Sequence, residues 1–279
     1  MISLFSACAL VQMPGQVIHA QTYLLQPGDE PLRQQVDVSV DVQGVVKMKS
    51  ARFGVVDQRV KVHGKQSYEQ RLSFQRATQL CRAIRYYQNL ESNVSIGEGE
   101  LSHQLRKERR LVVDQYQNQQ HRLYSPQGML TRDELDLLDV QLSPTVFYKL
   151  LPPGPVVQGD QWQLDEADLS ALLTLDAVAQ SDISATLQSV TANKAQIVCK
   201  GSVGGGVNGV LTQIDLELSA QYNLTTHSFT LVSLEMSERR EIGYAKPGLD
   251  VEARIVVALQ PTDSFKTLTD SIIEKCDRP

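Results

Sequence analysis

The residues from Gly204 to Gly209 match the glycine spacing of the dinucleotide-binding fingerprint, GxGxxG. In that motif a strand precedes the glycines and a helix follows them, so that backbone N–H groups at the helix N-terminus meet the pyrophosphate. Here apolar and polar residues alternate after Gly209, which indicates a strand instead. We therefore predict a hairpin turn, in which glycine and asparagine supply the positive φ angles, and no nucleotide site.

Carboxylates are grouped at two other places in the chain. One group has the spacing of a possible cation site, and the other flanks the only Trp, as the carboxylate pair of a glycosidase would. The first turn of a helix favours acidic residues because of the helix dipole, and aspartate is common in turns and at helix N-caps. We therefore predict no metal site and no catalytic pair at these residues: Asp133, Glu134, Asp136 and Asp139, then Asp160 and Asp165.

The histidines offer no recognisable catalytic or metal-binding spacing. None of the four that follow residue 20 lies three or four positions from another, and the chain contains neither HExxH nor GxSxG. An enzyme would have to assemble its site from distant residues. We therefore predict a protein that is not an enzyme and that holds no cofactor; the histidines are His63, His103, His121 and His227.

Composition is that of an ordinary folded protein. The chain has 279 residues, of which 42% are hydrophobic and 21% are charged, so global disorder is excluded. The net charge of -5 gives no long-range attraction for phosphate backbones, which excludes nucleic acid as an expected partner. The length is sufficient for one large β domain.

The first twenty residues contain no Lys, Arg, Asp or Glu, and the apolar run from Ile2 to Val11 is too short to cross a bilayer. This pattern predicts a secretory signal at 1–20, cleaved after Ala20, and an exported protein without a membrane span afterwards. Two alternatives remain open. Cys8 follows a sequence similar to a lipoprotein processing box, and the stretch could also be an ordinary buried segment.

Three cysteines remain if the signal is removed, and an odd number cannot form a closed disulfide framework. Cys199 lies in an apolar strand and is expected to be a small buried residue. Cys81 and Cys276 could pair in an oxidising compartment, but the sequence does not decide the pairing.

Before residue 125 the sequence predicts strands. Alternation begins at Gln34, and Gly44 interrupts it, which predicts a bulge or turn. A second turn is expected at 63–65, between two apolar runs that would form a hairpin. Residues 76–95 fit both helical and strand periodicity, and we favour a strand from about 83 to 96.

A helical segment and a rigid corner are predicted between the two β-rich halves. Thr131 and Glu134 have the spacing of a capping box, and Ser143-Pro144 and Asp165 each begin a further helix. Between the last two helices the chain cannot stay helical, because it contains two prolines followed by turn-forming residues. The residues of this predicted structural corner are Pro152, Pro153, Gly154, Gly159 and Trp162.

The remainder again alternates with a period of two, most clearly from Ile214 to Tyr222. Because short turns join consecutive strands, the strands must pair antiparallel. We predict a mainly β (α+β) fold: one large twisted antiparallel sheet, curled as a half-barrel or sandwich, with short helices at about 131–151 and 166–175 across one face. Residues 21–261 would form one domain, and 262–279 a C-terminal tail.

Two stretches resemble a family of uncharacterised exported proteins from planctomycete bacteria. The first runs from Tyr124 through Leu130-Thr131-Arg132-Asp133-Glu134-Leu135-Asp136 to the corner that ends at Trp162, and the second from Ile242 to Arg254. The resemblance covers roughly residues 23–261. It implies a secreted or periplasmic protein with an antiparallel β fold, no established activity and no catalytic residues to carry over.

Two functions follow as hypotheses. The first is a non-catalytic exported envelope protein that acts as a scaffold or binds an unknown partner protein. The second is a carrier of lipid or other apolar cargo, with an unfilled cavity on the order of several hundred Å³ between sheet and helices. The candidate face for such cargo is formed by Leu135, Leu138, Phe147 and Leu151.

Overall fold

The structure is a computed structural model that describes residues 21–50, 52–78, 80–117, 120–244 and 246–277, so the predicted signal lies outside the described residues. The α-helices are α1 (Arg132–Leu138), α2 (Glu166–Leu173) and α3 (Asp270–Asp277), and 3-10 helices occupy Arg76–Thr78, Lys107–Arg109 and Pro144–Leu150. The strands are β1 (Thr22–Tyr23), β2 (Leu32–Ser50), β3 (Gly54–Gln75), β4 (Leu80–Ile96), β5 (Gly99–Gln104), β6 (Leu111–Gln117), β7 (Gln120–Tyr124), β8 (Val156–Val157), β9 (Gln161–Gln163), β10 (Ala177–Ser181), β11 (Ser184–Thr191), β12 (Lys194–Val207), β13 (Val210–Asn223), β14 (Ser228–Arg240) and β15 (Gly248–Pro261).

Thirteen of the strands form one open antiparallel sheet, which confirms the predicted mainly β fold with short helices. The strand order is β7-β6-β4-β3-β2-β15-β14-β13-β12-β11-β9, with β5 added beside β4 and β10 beside β12. β1 and β8 form a separate two-stranded pair. Each half of the chain is a meander, as short connections between neighbouring strands require.

The two meanders become one sheet where the first long strand pairs with the last. β2 and β15 are in register from Gly248↔Lys47 to Pro261↔Gln34. On one face of this pair, β-branched and aliphatic side chains stand opposite each other, such as Val38 opposite Val257. Both of these valines are buried in the main core, so the hydrophobic effect fixes the register of the junction.

The bulge or turn predicted at Gly44 and the turn predicted at 63–65 are both wrong. Gly44 lies within the uninterrupted strand β2, and 63–65 lie within the uninterrupted strand β3. Glycine is needed at position 44 so that the backbones of β2 and β15 can approach closely, because a Cβ there would lie 2.2 Å from the carbonyl oxygen of Asp250 on β15. At 63–65 the neighbouring strands β2 and β4 supply hydrogen-bond partners on both sides, and this pairing overrides the local turn preference.

The ambiguous stretch 76–95 is confirmed as mainly strand, because β4 extends from Leu80 to Ile96. Its side chains alternate between two covered faces. Tyr87 and Leu90 belong to the main core, whereas Ile84 points to a second cluster on the opposite face. Burial on both faces explains why neither periodicity was clear in the sequence.

Three short helices pack across the main apolar face, as predicted. Thr131 and Glu134 form the predicted capping box of α1. The Ser143 side chain caps the segment from Pro144, which is a 3-10 helix, and Asp165 caps α2.

The C-terminal segment covers part of the other face of the sheet. In β3, the Glu69 carboxylate accepts the backbone N–H groups of 266–268 at 2.7 to 2.9 Å. α3 follows, and Ile273 and Leu268 pack with Ile84 and Val113 in the second apolar cluster. The segment that we predicted as a tail is therefore attached along the domain.

The GxGxxG stretch forms a strand end and a hairpin turn. Asn208 and Gly209 have φ angles of 52° and 73°, which confirms the predicted turn with positive φ. Gly204 to Gly206 belong to β12. A Cβ at Gly205 would lie 2.3 Å from the carbonyl oxygen of Ala177, so this glycine allows β10 to pair with β12.

Cys81 and Cys199 are buried free thiols, and Cys276 is buried in the second apolar cluster. Burial raises the pKa of Cys199 to about 12, as expected for a small apolar core residue.

In the part of the chain that the structure describes, no helix has the length and apolar content to cross a membrane.

Candidate functional site

The four residues of the predicted cargo face are not equivalent in the structure. Leu138 and Phe147 are buried, with exposed fractions of 3% and 2%, and Leu151 is half-buried against the main core. Phe147 packs edge-to-face on Phe229 of β14, with ring centroids 5.6 Å apart. Leu135, in contrast, is 37% exposed. Helix α1 therefore presents Leu138 to the core and Leu135 towards solvent.

The space beside Phe147 and Leu151 has a volume of only about 50 Å³. That is room for a few water molecules, whereas sites for drug-sized ligands span roughly 300–1,000 Å³. The interface between this part of the helical segment and the sheet is packed. An apolar cargo of lipid size has no room there.

The predicted corner joins the 3-10 helix to the second half of the sheet. Pro152 is buried, whereas Pro153 is exposed. Gly159 adopts a φ of 94°, which favours glycine. Trp162 on β9 is 9% exposed, and its Nε1–H donates to the carbonyl oxygen of Leu150 at 3.3 Å. The corner thus anchors the C-terminal end of the 3-10 helix to β9.

A buried ion pair lies beneath the start of the 3-10 helix. Arg85 on β4 and Asp114 on β6 approach to 2.7 Å, with side chains 3% and 1% exposed. Ser143 Oγ donates to Asp114 at 2.8 Å and accepts from Arg85 Nη2 at 2.9 Å. His121 Nε2 lies 2.8 Å from the same carboxylate, and Thr145 Oγ1 donates to it at 3.3 Å.

The network shifts the pKa values of its members in opposite directions. Burial by itself raises the pKa of Asp114, but the charge of Arg85 and the hydrogen bonds from His121 and Ser143 outweigh burial. The resulting pKa of Asp114 is about 2. The hydrogen bond to Asp114 raises the pKa of His121, although burial opposes it.

This arrangement is not a nucleophilic triad. In such a triad the histidine lies between the serine and the carboxylate, so that it can take the serine proton. Here Ser143 donates directly to Asp114 and accepts from Arg85, and His121 contacts the opposite carboxylate oxygen. The geometry therefore supports attachment of the helical segment to the sheet.

The pKa shifts predict how stability depends on pH. Since the pKa of Asp114 is depressed, its ionised carboxylate adds about 2 kcal/mol to the free energy of unfolding above about pH 4. This stabilisation is lost as the pH falls towards about 2. Since the pKa of His121 is raised, its contribution is present below the ordinary histidine pKa and is lost as the pH rises through the raised value. Urea unfolding across this pH range measures both.

His121→Gln is expected to remove the decline on the alkaline side and to leave the acid side largely in place. His103→Gln is the matched control, because His103 lies on β5, away from the network. A variant His121→Gln with the pH profile of the wild type would contradict the assignment.

An open cleft with a volume of about 1010 Å³ lies beside the network. The sheet curves so that both of its ends contribute: His121 belongs to β7 and Val178 to β10. In the described residues β7 pairs only with β6, and β10 pairs only with β12. Each strand therefore has one free backbone edge near the cleft.

The cleft is acidic. Four carboxylate residues line it, together with one histidine, and no Lys or Arg is among the described residues that line it. Apolar side chains alternate with these groups on α2 and on the loops beside it. The carboxylate residues are Asp139, Asp165, Glu166 and Asp176; the main apolar ones are Leu164, Leu169, Ala171, Leu175 and Val178.

The structure separates the acidic residues singled out in the sequence. Glu134 is buried in the capping box and accepts Arg106 Nη2 at 2.6 Å, whereas Asp139 lines the cleft. Asp160 accepts the backbone N–H of Val157 at 2.8 Å, as a turn residue, and Asp165 caps α2. Across the described residues, no three His, Cys, Asp or Glu side chains are grouped to hold a metal ion.

Neither the ion pair nor the cleft was predicted from the sequence. Asp114 and Arg85 each stand within a strand of apolar residues, and a charged residue in such a run was the available signal. Their meeting depends on the register of β4 and β6, which places Ala83 opposite Asp114. The cleft depends on the curvature of the whole sheet.

No protein-family model matches the chain, and no curated protein matches it in sequence. Among solved structures, the chain is similar to one described as "Lipid-protein interactions in lipovitellin", with a TM-score of 0.45 and 10% sequence identity. The match covers 87% of this chain and 26% of the lipovitellin chain. The resemblance to the exported bacterial family stays a prediction.

Proposed function

We propose that this protein is a non-catalytic, exported binding protein whose acidic cleft takes an extended, positively charged segment of a partner protein. The observation that carries the proposal is a cleft of about 1010 Å³ bordered by two strands with free edges. An extended segment can add to such an edge as a further strand, with main-chain hydrogen bonds for affinity and alternate side chains for specificity.

β10 is the better of the two edges for strand addition. Its residues from Ala177 to Ser181 are mostly exposed, and three of its five residues line the cleft. β7 contributes only His121 to the cleft lining, and that side chain is engaged with Asp114. A segment beside β10 would also meet α2, which packs next to that strand.

Charge supports a basic segment over an acidic one. The exposed carboxylates of Glu166 and Asp176 border the cleft without a neighbouring cation among its described lining residues. Lysine or arginine side chains of a bound strand would find complementary charge there, which favours selective and fast association. The apolar side chains between the carboxylates suit the other half of an alternating segment.

A synthetic peptide of alternating lysine and valine tests the proposal by fluorescence anisotropy. We expect saturable binding, and no binding of a peptide with glutamate in place of lysine. N-methylation of alternate peptide amides is expected to abolish binding, because it removes main-chain donors without changing the protein. Binding that survives N-methylation would contradict strand addition.

A charge reversal in the cleft gives the matched protein control. Glu166→Lys is expected to weaken binding of the lysine peptide roughly fivefold. Glu98→Lys makes the same change at an exposed turn of β4 and β5, away from the cleft, and is expected to leave the affinity unchanged. Equal effects of the two reversals would point to non-specific attraction.

The carrier of apolar cargo is the second candidate, and the open cleft is large enough for it. The side chains of Leu164, Leu169 and Val178 in the lining are the observation that favours it. In the same anisotropy assay, saturable binding of a fluorescent fatty acid with no binding of the lysine peptide would favour the carrier over the protein-binding function.

A further inference from the structure

The hairpin of β2 and β3 projects beyond the rest of the sheet. The last pair between β2 and β15 is Lys47↔Gly248, and the last pair between β3 and β4 is Val60↔Ile96. Residues 48–50 and 54–59 therefore pair with neither β15 nor β4. At a rise of about 3.3 Å per residue, the hairpin extends roughly 20 Å past the end of β4.

The projecting hairpin carries apolar side chains that are exposed. Phe53 in the turn is 70% exposed, Val55 is 57% exposed and Met48 is 36% exposed. Val55 stands opposite Lys49, and Met48 stands opposite Val56, so apolar side chains occupy both faces of the ribbon and its turn. A flat protein surface could cover one face only, whereas the interfacial region of a bilayer surrounds an inserted tip.

Positive charge accompanies these apolar side chains. From Lys47 to Arg59 the chain has four basic residues and one acidic residue, Asp57, which is a local net charge of +3 in a chain of net charge -5. The Arg52 guanidinium lies 5.2 Å from the centroid of the Phe53 ring. Basic residues beside an exposed aromatic ring match the anionic headgroups and the acyl boundary of a membrane.

From this geometry we infer that the β2–β3 hairpin docks the protein on the surface of an anionic lipid bilayer. Phe53 and Val55 enter the boundary between headgroups and acyl chains, and Lys49 and Arg52 lie among the phosphates. Insertion is shallow, because the outer edges of a two-stranded ribbon keep backbone groups that need water or headgroup partners. The inference is independent of the function proposed for the cleft.

Vesicle flotation tests the inference with the full chain. We expect the protein to float with vesicles of equal parts phosphatidylglycerol and phosphatidylcholine, and to bind vesicles of phosphatidylcholine alone far more weakly. The double variant Phe53→Ser, Val55→Ser is expected to bind the anionic vesicles at least about tenfold more weakly. Met129→Ser, which changes an 88% exposed apolar residue before α1, is the matched control and should bind as the wild type does.

Charge reversal separates the electrostatic contribution to membrane binding from the apolar one. Lys49→Glu with Arg52→Glu is expected to reduce binding to the anionic vesicles and to remove most of its salt dependence. All variants keep residues 1–20, so any membrane affinity of that stretch is common to them. Wild-type protein that does not float, or a Phe53→Ser, Val55→Ser variant that floats as well as the wild type, would overturn the inference.

Discussion

Replacing Asp114 by alanine is expected to lower the free energy of unfolding by about 3–5 kcal/mol, measured by urea denaturation near neutral pH. Asp114 is 1% exposed and accepts from four side chains. Its loss leaves the charge of Arg85 buried without a counter-ion, and it leaves Ser143 and Thr145 without their common acceptor. Asp114→Asn keeps the shape and still removes the charge, so it reports the same effect in a milder form.

The matched control for this prediction is Asp41→Ala. Asp41 also pairs with a basic side chain, His63, at 2.6 Å, but its side chain is 57% exposed. A surface pair of this kind contributes roughly 0–1 kcal/mol. Arg85→Met combined with Asp114→Leu is expected to recover much of the lost stability, because no charge is left buried. A loss below about 1 kcal/mol in Asp114→Ala would show that the network does not hold the helical segment.

Phe147→Ala is expected to cost about 3–5 kcal/mol of unfolding free energy, whereas Leu135→Ala is expected to change it by no more than about 0.5 kcal/mol. Both residues were assigned to one apolar face from the sequence. The structure packs Phe147 against Phe229 and leaves Leu135 partly in solvent. Removal of the Phe147 ring would leave a cavity beside the existing space of about 50 Å³.

Thermal and urea unfolding of both variants check this difference. Phe147→Leu keeps most of the buried volume and is expected to fall between the two. Similar losses in Phe147→Ala and Leu135→Ala would mean that α1 turns its other side to the sheet. Binding of the lysine peptide by Leu135→Ala should be unchanged, because Leu135 does not line the cleft.

Local sequence signals predicted the conformation correctly where the contacts that determine it are close along the chain. The capping box of Thr131 and Glu134 closes over three residues, and it formed as predicted. The turn at Asn208 and Gly209 likewise needs only residues that tolerate positive φ. The predictions at Gly44 and at 63–65 were wrong for the opposite reason. The conformation at these positions is set by pairing with strands β15, β2 and β4, which is not visible in the local sequence.

Alternation of apolar and polar residues determined that this chain is mainly β, because a strand with one buried face requires that period. The short turns between consecutive strands determined that they pair antiparallel. Only the tertiary structure decided that β2 joins β15, that Arg85 meets Asp114 and that β7 and β10 border one cleft. These features depend on register and on the accumulated curvature of thirteen strands. Periodicity states which face of a strand is buried, but it contains no information on which strand lies beside it.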